Sequence, residues 1–191
     1  MRTAIFGGTF DPIHRAHVRV AQEAADRFGL DQVLLITSGN PPHKPAGATT
    51  SYEHRHRMVE LACECEKDSR LAPSRLEEGR LRSYSYDTIQ RVRATLSDGD
   101  ELLFLIGADA FAEIGTWHRA ANVIRAVEFI VVSRPGYSHP VQPGARVHRL
   151  ETLSLHVSSS EIRTRLAAGA MVDELSPPVL EYIVQHNLYH S

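Results

Sequence analysis

Short apolar segments that alternate with helix-like segments are the feature that most restricts the fold of this chain. Four of them are typical of buried strands, and they occupy residues 2–6, 32–37, 101–106 and 127–133. Strands separated by helices predict a parallel sheet with helices on both faces, which is a Rossmann-like, doubly wound α/β fold. At roughly 150 residues per domain, the 191 residues predict a single domain over 1–191.

The segments between and after these strands carry helical patterns or turn residues. Asp11 is a good N-cap and Pro12 suits a first helical position, so the first helix is predicted to begin there and to end at Gly29. Further helices are predicted at residues 51–67, 86–96, 110–114, 120–125, 158–168 and 177–186. Weaker patterns predict a strand at 71–77 and an edge strand at 147–155. Residues 158–191 are predicted to form a small C-terminal helical segment.

The charge balance excludes one class of function. The chain has 21 Lys and Arg against 23 Asp and Glu, a net charge of -2, whereas general nucleic-acid binders are usually distinctly basic. No stretch approaches the ~20 apolar residues of a membrane span, and the N-terminus runs into glycines instead of a signal-peptide pattern. The only cysteines, Cys63 and Cys65, are too close in a helical stretch for good disulfide geometry. We therefore expect a reduced, cytoplasmic protein that binds neither nucleic acid nor a membrane.

The unusual residues of this chain follow its predicted strands. Gly7-Gly8, residues 38–44, residues 107–109 and Ser133-Arg134 each come directly after one. Ligands of open parallel sheets bind at the carboxyl ends of the strands. We therefore expect all four segments to face one crevice.

Residues 7–17, with the sequence GGTFDPIHRAH, combine features suited to a phosphate. Glycines let a ligand approach the backbone closely, and the free N–H groups of the following helix N-terminus favour an anion. His14 and His17 are three residues apart, so both imidazoles share one helix face and can donate to the same anion. A solvated helix face and a metal-binding pair are the alternatives, although no third protein ligand is evident nearby. The segment matches neither G-x-G-x-x-G nor the P-loop.

Three further features each have a structural and a functional interpretation. The serines of residues 158–163, SSSEIR, are able simply to cap a helix. Lys44 is one of only two lysines and lies in a Pro-rich loop after a strand, where an ordinary solvated cation is equally reasonable. Trp117, the only tryptophan, either belongs to the core or offers its flat face to a heterocycle.

Residues 7–17 resemble the signature G-G-x-F-D-P-x-H-x-G-H of the nucleotidyltransferases, an α/β superfamily of adenylyl- and cytidylyltransferases, with Ala16 in place of the last glycine. Residues 158–163 resemble the second signature of that superfamily, S-S-T-x-I-R, with Ser160 in place of threonine. The resemblance implies that this second element contacts the triphosphate and that Arg163 binds the departing pyrophosphate. The ATP-binding residues that it implies are Gly7, Gly8, Thr9, Phe10, His14, His17, Asp109, Ser158, Ser159, Ile162 and Arg163.

Four segments resemble one branch of the superfamily, the nicotinate-mononucleotide adenylyltransferases. They are GNPPHK at 39–44, SYSYDTI at 83–89, GAD at 107–109 followed by Trp117-His118, and VVSRPG at 131–136. The resemblance implies that Trp117 stacks on the pyridine ring and that backbone groups near Ser85 and His118 hold the nicotinate carboxylate. It also implies that Asp109 serves the ribose or the nucleotide and that Arg134 serves the phosphates. The substrate-binding residues that it implies are Asp11, Asn40, Lys44, Ser85, Trp117, His118 and Arg134.

The reaction that this resemblance implies transfers AMP from ATP to nicotinate mononucleotide, with pyrophosphate as the leaving group. Its catalytic residues are expected to be His14, His17, Lys44 and Arg163, which align two anions and stabilise the departing charge without a protein nucleophile. Mg²⁺ is expected to accompany ATP, held by phosphates and water instead of protein ligands. We expect small-molecule partners, and the sequence leaves a homo-oligomer open.

Other functions stay open at this stage. A sister enzyme that uses nicotinamide mononucleotide fits as well, because no side chain separates acid from amide, whereas Trp117 and the long middle region disfavour phosphopantetheine. A class I aminoacyl-tRNA synthetase shares the histidine signature, but 191 residues leave no room for anticodon recognition. Ala16 is the one feature that favours a nucleotide-sensing module with an inactive site.

Overall fold

One parallel sheet organises the chain, of which this computed structural model describes residues 1–39, 50–80, 82–136, 142–153 and 157–189. Its strands are β1 (Arg2–Gly8), β2 (Gln32–Thr37), β3 (Leu71–Ser74), β4 (Glu101–Gly107), β5 (Glu128–Ser133) and β6 (Arg146–Glu151). They lie in the order β3-β2-β1-β4-β5-β6, and every neighbouring pair is parallel. The strand order reverses between β1 and β4, so the predicted doubly wound α/β fold is confirmed and its switch point lies at the end of β1.

Helices cover both faces of the sheet. They are α1 (Arg15–Phe28), α2 (Tyr52–Glu66), α3 (Ser85–Arg93), α4 (Ala108–Ala112), α5 (Ala120–Ala126), α6 (Ser159–Ala167) and α7 (Pro177–Gln185). Side chains of α1, α2, α6 and α7 share one buried cluster with Ala4 of β1, whereas side chains of α3, α4 and α5 share a second cluster with Ile5. Successive strand residues point to opposite faces, so the sheet separates two cores. None of the helices in the described ranges is long and apolar enough to cross a bilayer.

Helix α1 begins at Arg15, so the prediction that it starts at Asp11 and Pro12 is wrong. Its N-cap is His14, whose backbone is extended, with φ −142° and ψ 168°. The Asp11 carboxylate instead accepts hydrogen bonds from the Tyr189 hydroxyl (2.6 Å) and from the backbone N–H of Thr50 (3.3 Å). A carboxylate that is already bound by distant parts of the chain is not available to cap the next helix.

Other boundaries follow the sequence more closely. Ser51 caps α2 as predicted, because its hydroxyl oxygen accepts the N–H of His54 at 3.4 Å. The strand predicted at 71–77 ends three residues earlier, at Ser74, and β6 is the edge strand that was expected near 147–155. Helices α6 and α7 fall in the predicted C-terminal helical segment, and the interpretation of 1–191 as one domain stays a prediction.

Candidate active site

A cavity of about 390 Å³ opens at the carboxyl edge of the sheet. Small-molecule sites have volumes of roughly 300–1,000 Å³. The lining includes Gly7 and Gly8 at the end of β1, Ser38 after β2 and Gly107 at the end of β4. Three of the four segments predicted to share a crevice therefore meet here. Among the described residues, the fourth segment, Ser133-Arg134, does not line this cavity.

The two glycines that end β1 differ in their surroundings. A Cβ atom on Gly8 would lie 2.7 Å from the ring of Phe10, so packing requires glycine there. A Cβ atom on Gly7 would meet no atom of the described residues within 4 Å, and Gly7 faces the cavity. The described part of the chain therefore leaves the space above Gly7 open to a ligand.

One wall of the cavity is aromatic. Trp117 is half-buried, and its ring stands edge-on to that of Phe104, with centroids 6.3 Å apart. The rings of Tyr84 and His118 stack at 4.3 Å. Ser85, the first residue of α3, lines the same wall, where the first N–H groups of the helix lack partners inside the helix. The structure thus brings Ser85, Trp117 and His118 together, while their roles stay predictions.

The two histidines of the first signature form a stacked pair. The ring centroids of His14 and His17 lie 3.7 Å apart at an angle of 30°. The backbone N–H of His14 donates to Nδ1 of His17 at 3.3 Å. Because Nδ1 is an acceptor, a neutral His17 carries its proton on Nε2, which is then a hydrogen-bond donor. The side chain of His14 is buried, and its Nδ1 has no hydrogen-bond partner among the described residues.

Both imidazoles are neutral near pH 7. Burial lowers the pKa of His14 to about 4, although the nearby Glu174 carboxylate raises it somewhat. Burial, and then the neighbouring His14, hold the pKa of His17 well below its ordinary value of 6.5. The neutral pair therefore offers N–H donors instead of positive charge. The alternative of a solvated helix face does not fit His14, which is 5% exposed.

The histidine pair and the aromatic wall lie on opposite faces of the sheet. The His17 ring contacts Phe10 and Phe6, with centroids 5.2 Å and 6.1 Å away, and both phenylalanines belong to the core beside α1 and α6. Trp117 packs against the other core, beside α3 to α5. Phe6 also lines the cavity. Neither histidine is among the described residues that line the cavity, and Phe6, the residue before Gly7, lies between the pair and the cavity.

The second signature lies against the first. Arg163 donates through Nη1 to the carbonyl oxygen of Asp11 at 2.8 Å, and the Ser159 hydroxyl donates to the carbonyl oxygen of Pro12 at 2.9 Å. Ser158 caps α6, because its hydroxyl accepts the N–H of Glu161 at 3.2 Å. The capping interpretation is therefore correct for Ser158. Because the two signatures are adjacent, Arg163 lies beside the first signature, residues 7–17.

Several predicted site residues lie elsewhere. The Ile162 side chain is 1% exposed and belongs to the core. Asp109 in α4 and Arg134 after β5 are both exposed and lie outside the cavity lining. Asn40 and Lys44, which were also predicted to bind substrate, lie outside the described residues.

Two further residues of the first signature are buried. Asp11 is 2% exposed and is held by Tyr189 and Thr50, so its carboxylate supports the loop. Ala16, at the position of the signature glycine, is 8% exposed on the buried side of α1.

The sequence analysis missed Arg55. This residue of α2 is 1% exposed. Its guanidinium donates to the carbonyl oxygens of Thr9, Ser38 and Thr50, each at 2.8 Å, and to that of Gly39 at 3.3 Å. One side chain thereby holds together the loop after β1, the loop after β2 and the start of α2.

The sequence analysis also missed Glu77, a buried carboxylate that lines the cavity. It accepts hydrogen bonds from the Thr88 hydroxyl at 2.8 Å and from Arg91 at 2.7 Å, both on α3. Close to it, a Cβ atom on Gly39 would lie 2.2 Å from the Glu77 carbonyl oxygen. Glu77 therefore fixes α3 beside the cavity. Within the described ranges, no group of three or more His, Cys, Asp or Glu side chains is placed to hold a metal ion.

Comparison with known proteins identifies the family. A family model described as Cytidylyltransferase-like matches residues 5–165. A curated protein of Solibacter usitatus, named "Probable nicotinate-nucleotide adenylyltransferase", is 54% identical over 190 residues, which cover 100% of both chains. This chain belongs to the nicotinate-nucleotide adenylyltransferase family. The expectation of a nucleotidyltransferase enzyme is thereby confirmed.

More distant relatives agree with this assignment. A curated protein of Trichlorobacter lovleyi with the same name is 37% identical over 214 residues, which cover 99% of both chains. The solved structure of Plasmodium falciparum nicotinic acid mononucleotide adenylyltransferase complexed with NaAD has a TM-score of 0.81 at 21% identity, over 98% of this chain and 97% of that chain. The structure of the same protein complexed with APC has a TM-score of 0.79 at 20% identity, over 98% and 96%. These two structures establish the likeness in fold.

Proposed function

We propose that this protein transfers AMP from ATP to nicotinate mononucleotide, forming nicotinate adenine dinucleotide and pyrophosphate. The observation that carries the proposal is the placement of two complementary residue sets around the end of β1. An aromatic cavity that contains Trp117 lies on one side, and the stacked histidines with Arg163 lie on the other. The first set suits a flat heterocycle and the second suits a polyphosphate, and Phe6, the residue before Gly7, both contacts His17 and lines the cavity.

The cavity is proposed to hold the mononucleotide. Trp117 is half-buried in the cavity wall and offers a flat aromatic face on which a pyridine ring can stack. Ser85 at the start of α3 presents a hydroxyl and the positive end of a nine-residue helix, which favours the nicotinate carboxylate. The mononucleotide phosphate then lies toward Gly7, where the described residues leave the space of a Cβ atom open.

The histidine side is proposed to hold the triphosphate. His17 donates through Nε2–H, and His14 lies directly against it. The guanidinium of Arg163 supplies positive charge next to the first signature, and Lys44 is proposed to add a second cation. His14, His17 and Arg163 are held by contacts within the protein before the substrate arrives, so they stabilise the charge that develops on pyrophosphate with little reorganisation.

The chemistry needs alignment more than a protein nucleophile. An oxygen of the mononucleotide phosphate forms a bond to the α-phosphorus of ATP, while the bond from that phosphorus to the bridging oxygen of pyrophosphate breaks. Neutral histidines suit this step, because their N–H groups donate hydrogen bonds to the phosphates without any change in the protonation state of the imidazoles. Imidazoles, a guanidinium and amides are not the oxygen ligands that Mg²⁺ prefers, so Mg²⁺ would be held by phosphate oxygens and water, where it would neutralise charge on ATP. The free cysteines accord with a cytoplasmic location.

Release of pyrophosphate tests the proposal directly. The enzyme is mixed with ATP and Mg²⁺, and with nicotinate mononucleotide, nicotinamide mononucleotide or neither. We expect release that depends on a mononucleotide and has a higher kcat/KM for the acid than for the amide. No release with either mononucleotide would refute adenylyl transfer, and a preference for the amide would overturn the assignment of the substrate.

A further inference from the structure

The C-terminal end of the chain reaches the first signature. Beyond α7, the hydroxyl of Tyr189 donates to Oδ1 of Asp11 at 2.6 Å, across 178 positions of sequence. The Tyr189 ring packs against the core that also contains Ile162 of α6 and Val18 of α1. Burial, followed by the hydrogen bond to Asp11, raises the pKa of Tyr189 well above its ordinary value of 10. The phenol therefore keeps its proton and acts as a donor.

Asp11 joins Tyr189 to the proposed ATP site. Its Oδ2 accepts the backbone N–H of Thr50, and its own carbonyl oxygen accepts Nη1 of Arg163 at 2.8 Å. The Asp11 side chain is almost fully buried, and the charged Arg55 is close enough to interact with it electrostatically. One residue thus connects the first signature, the start of α2, the arginine of the second signature and the C-terminus.

Loss of the Tyr189 hydroxyl has a consequence at Arg163. A buried carboxylate oxygen that loses its donor must find another or shift, because an unsatisfied buried charge is costly. Arg163 is coupled to any such shift, because its Nη1 donates to the carbonyl oxygen of the same residue. Movement of Asp11 therefore displaces the carbonyl that orients this arginine, whereas Trp117 packs against the core on the other face of the sheet.

We propose that Tyr189 is a positioning residue for the ATP site, whose hydroxyl fixes Asp11 so that Arg163 points at the triphosphate. The inference rests on the proposed function for its reaction but concerns ATP alone. It gives the last turns of the chain a part in catalysis, although they contain none of the signature residues.

The test replaces Tyr189 by phenylalanine, which removes the hydroxyl and keeps the ring. Tyr182→Phe is the matched control, because the Tyr182 hydroxyl lies on α7 and contacts Nδ1 of His54 at 2.9 Å instead of Asp11. KM and kcat are measured for each substrate, and ATP binding is measured by calorimetry without mononucleotide. We expect Tyr189→Phe to lower kcat/KM for ATP and to weaken ATP binding by about 5- to 30-fold. The KM for the mononucleotide should stay within about twofold, and Tyr182→Phe should resemble the wild type in all of these values.

A double-mutant cycle separates positioning from general stability. In an Asp11→Ala background the hydroxyl has no acceptor, so adding Tyr189→Phe should change ATP affinity by less than about twofold. A lower Tm with equal effects on both substrates, or undiminished ATP affinity in Tyr189→Phe, would overturn the proposal, as would additive effects in the cycle. Because calorimetry follows ATP alone, it tests Tyr189 even if pyrophosphate release fails with every mononucleotide.

Discussion

Replacing Arg55 by methionine should destabilise the loops beside the cavity. Methionine keeps much of the apolar stem but removes the guanidinium that donates to four loop carbonyl oxygens. Burial lowers the pKa of Arg55, which the Asp11 carboxylate opposes, and an arginine stays protonated under such conditions. The substitution therefore removes a charged donor and leaves part-buried acceptors without partners.

The size of the effect follows from those four hydrogen bonds. Three of them are 2.8 Å long, and each acceptor left without its donor costs about 1 kcal/mol. The bond to Gly39, at 3.3 Å, adds little. The methionine variant no longer has to bury a charged group when it folds, and this saving offsets part of the lost hydrogen bonding. We therefore expect a loss of about 2–3 kcal/mol in the free energy of unfolding. For a chain of this length, that lowers Tm by about 4–12 °C.

Thermal unfolding followed by circular dichroism measures this loss, with Arg57→Met as the control. Arg57 lies on the same helix, but its side chain is 43% exposed and pairs with Glu60 and Glu64 at the surface. Exposed ion pairs of this kind contribute roughly 0–1 kcal/mol. Equal, small shifts of Tm in both variants would refute the argument that Arg55 holds the loops together.

Three further predictions concern the proposed chemistry. His17→Ala should lower kcat for pyrophosphate release by about 10²- to 10³-fold, roughly 3–4 kcal/mol of transition-state stabilisation, and near-normal turnover would remove His17 from the mechanism. Trp117→Ala should raise KM for the mononucleotide much more than KM for ATP, whereas equal effects would make Trp117 a core residue. Because burial lowers the pKa of His14 from 6.5 to about 4, the unfolded chain takes up a proton before the folded chain does. Stability should therefore be greatest above pH 6.5 and should fall by up to about 3 kcal/mol as the pH drops to 4, and denaturant unfolding of His14→Gln should show a shallower decline.

The sheet could be predicted from the sequence because its central strands are buried on both faces. Such strands form nearly continuous apolar runs, and β1, β2, β4 and β5 lie where those runs are. The meeting of Gly7, Ser38 and Gly107 at one edge followed from the parallel direction of the strands, without any knowledge of side-chain packing.

Interactions between distant parts of the chain could not be predicted in this way. The start of α1 was misplaced because Asp11 binds Tyr189, and no local pattern indicates that partner. Arg55 did leave a signal, since it shares a helical stripe with Met58, Val59 and Ala62, and a charge at an apolar position often has a buried partner. Its four carbonyl partners lie in loops, whose paths the hydrophobic pattern does not specify.

The vacant space over Gly7 distinguishes two kinds of evolutionary pressure. Alanine there would meet no neighbour in the described part of the chain, and it would restrict the unfolded chain, which commonly stabilises a protein by about 0.4–1 kcal/mol. Selection for thermal robustness alone should therefore accept or even favour alanine at this position, whereas selection for turnover should reject it, because the methyl group would enter the volume where the reacting phosphates meet. A mutant library sorted first for heat resistance and then for growth should lose alanine at Gly7 only in the second round.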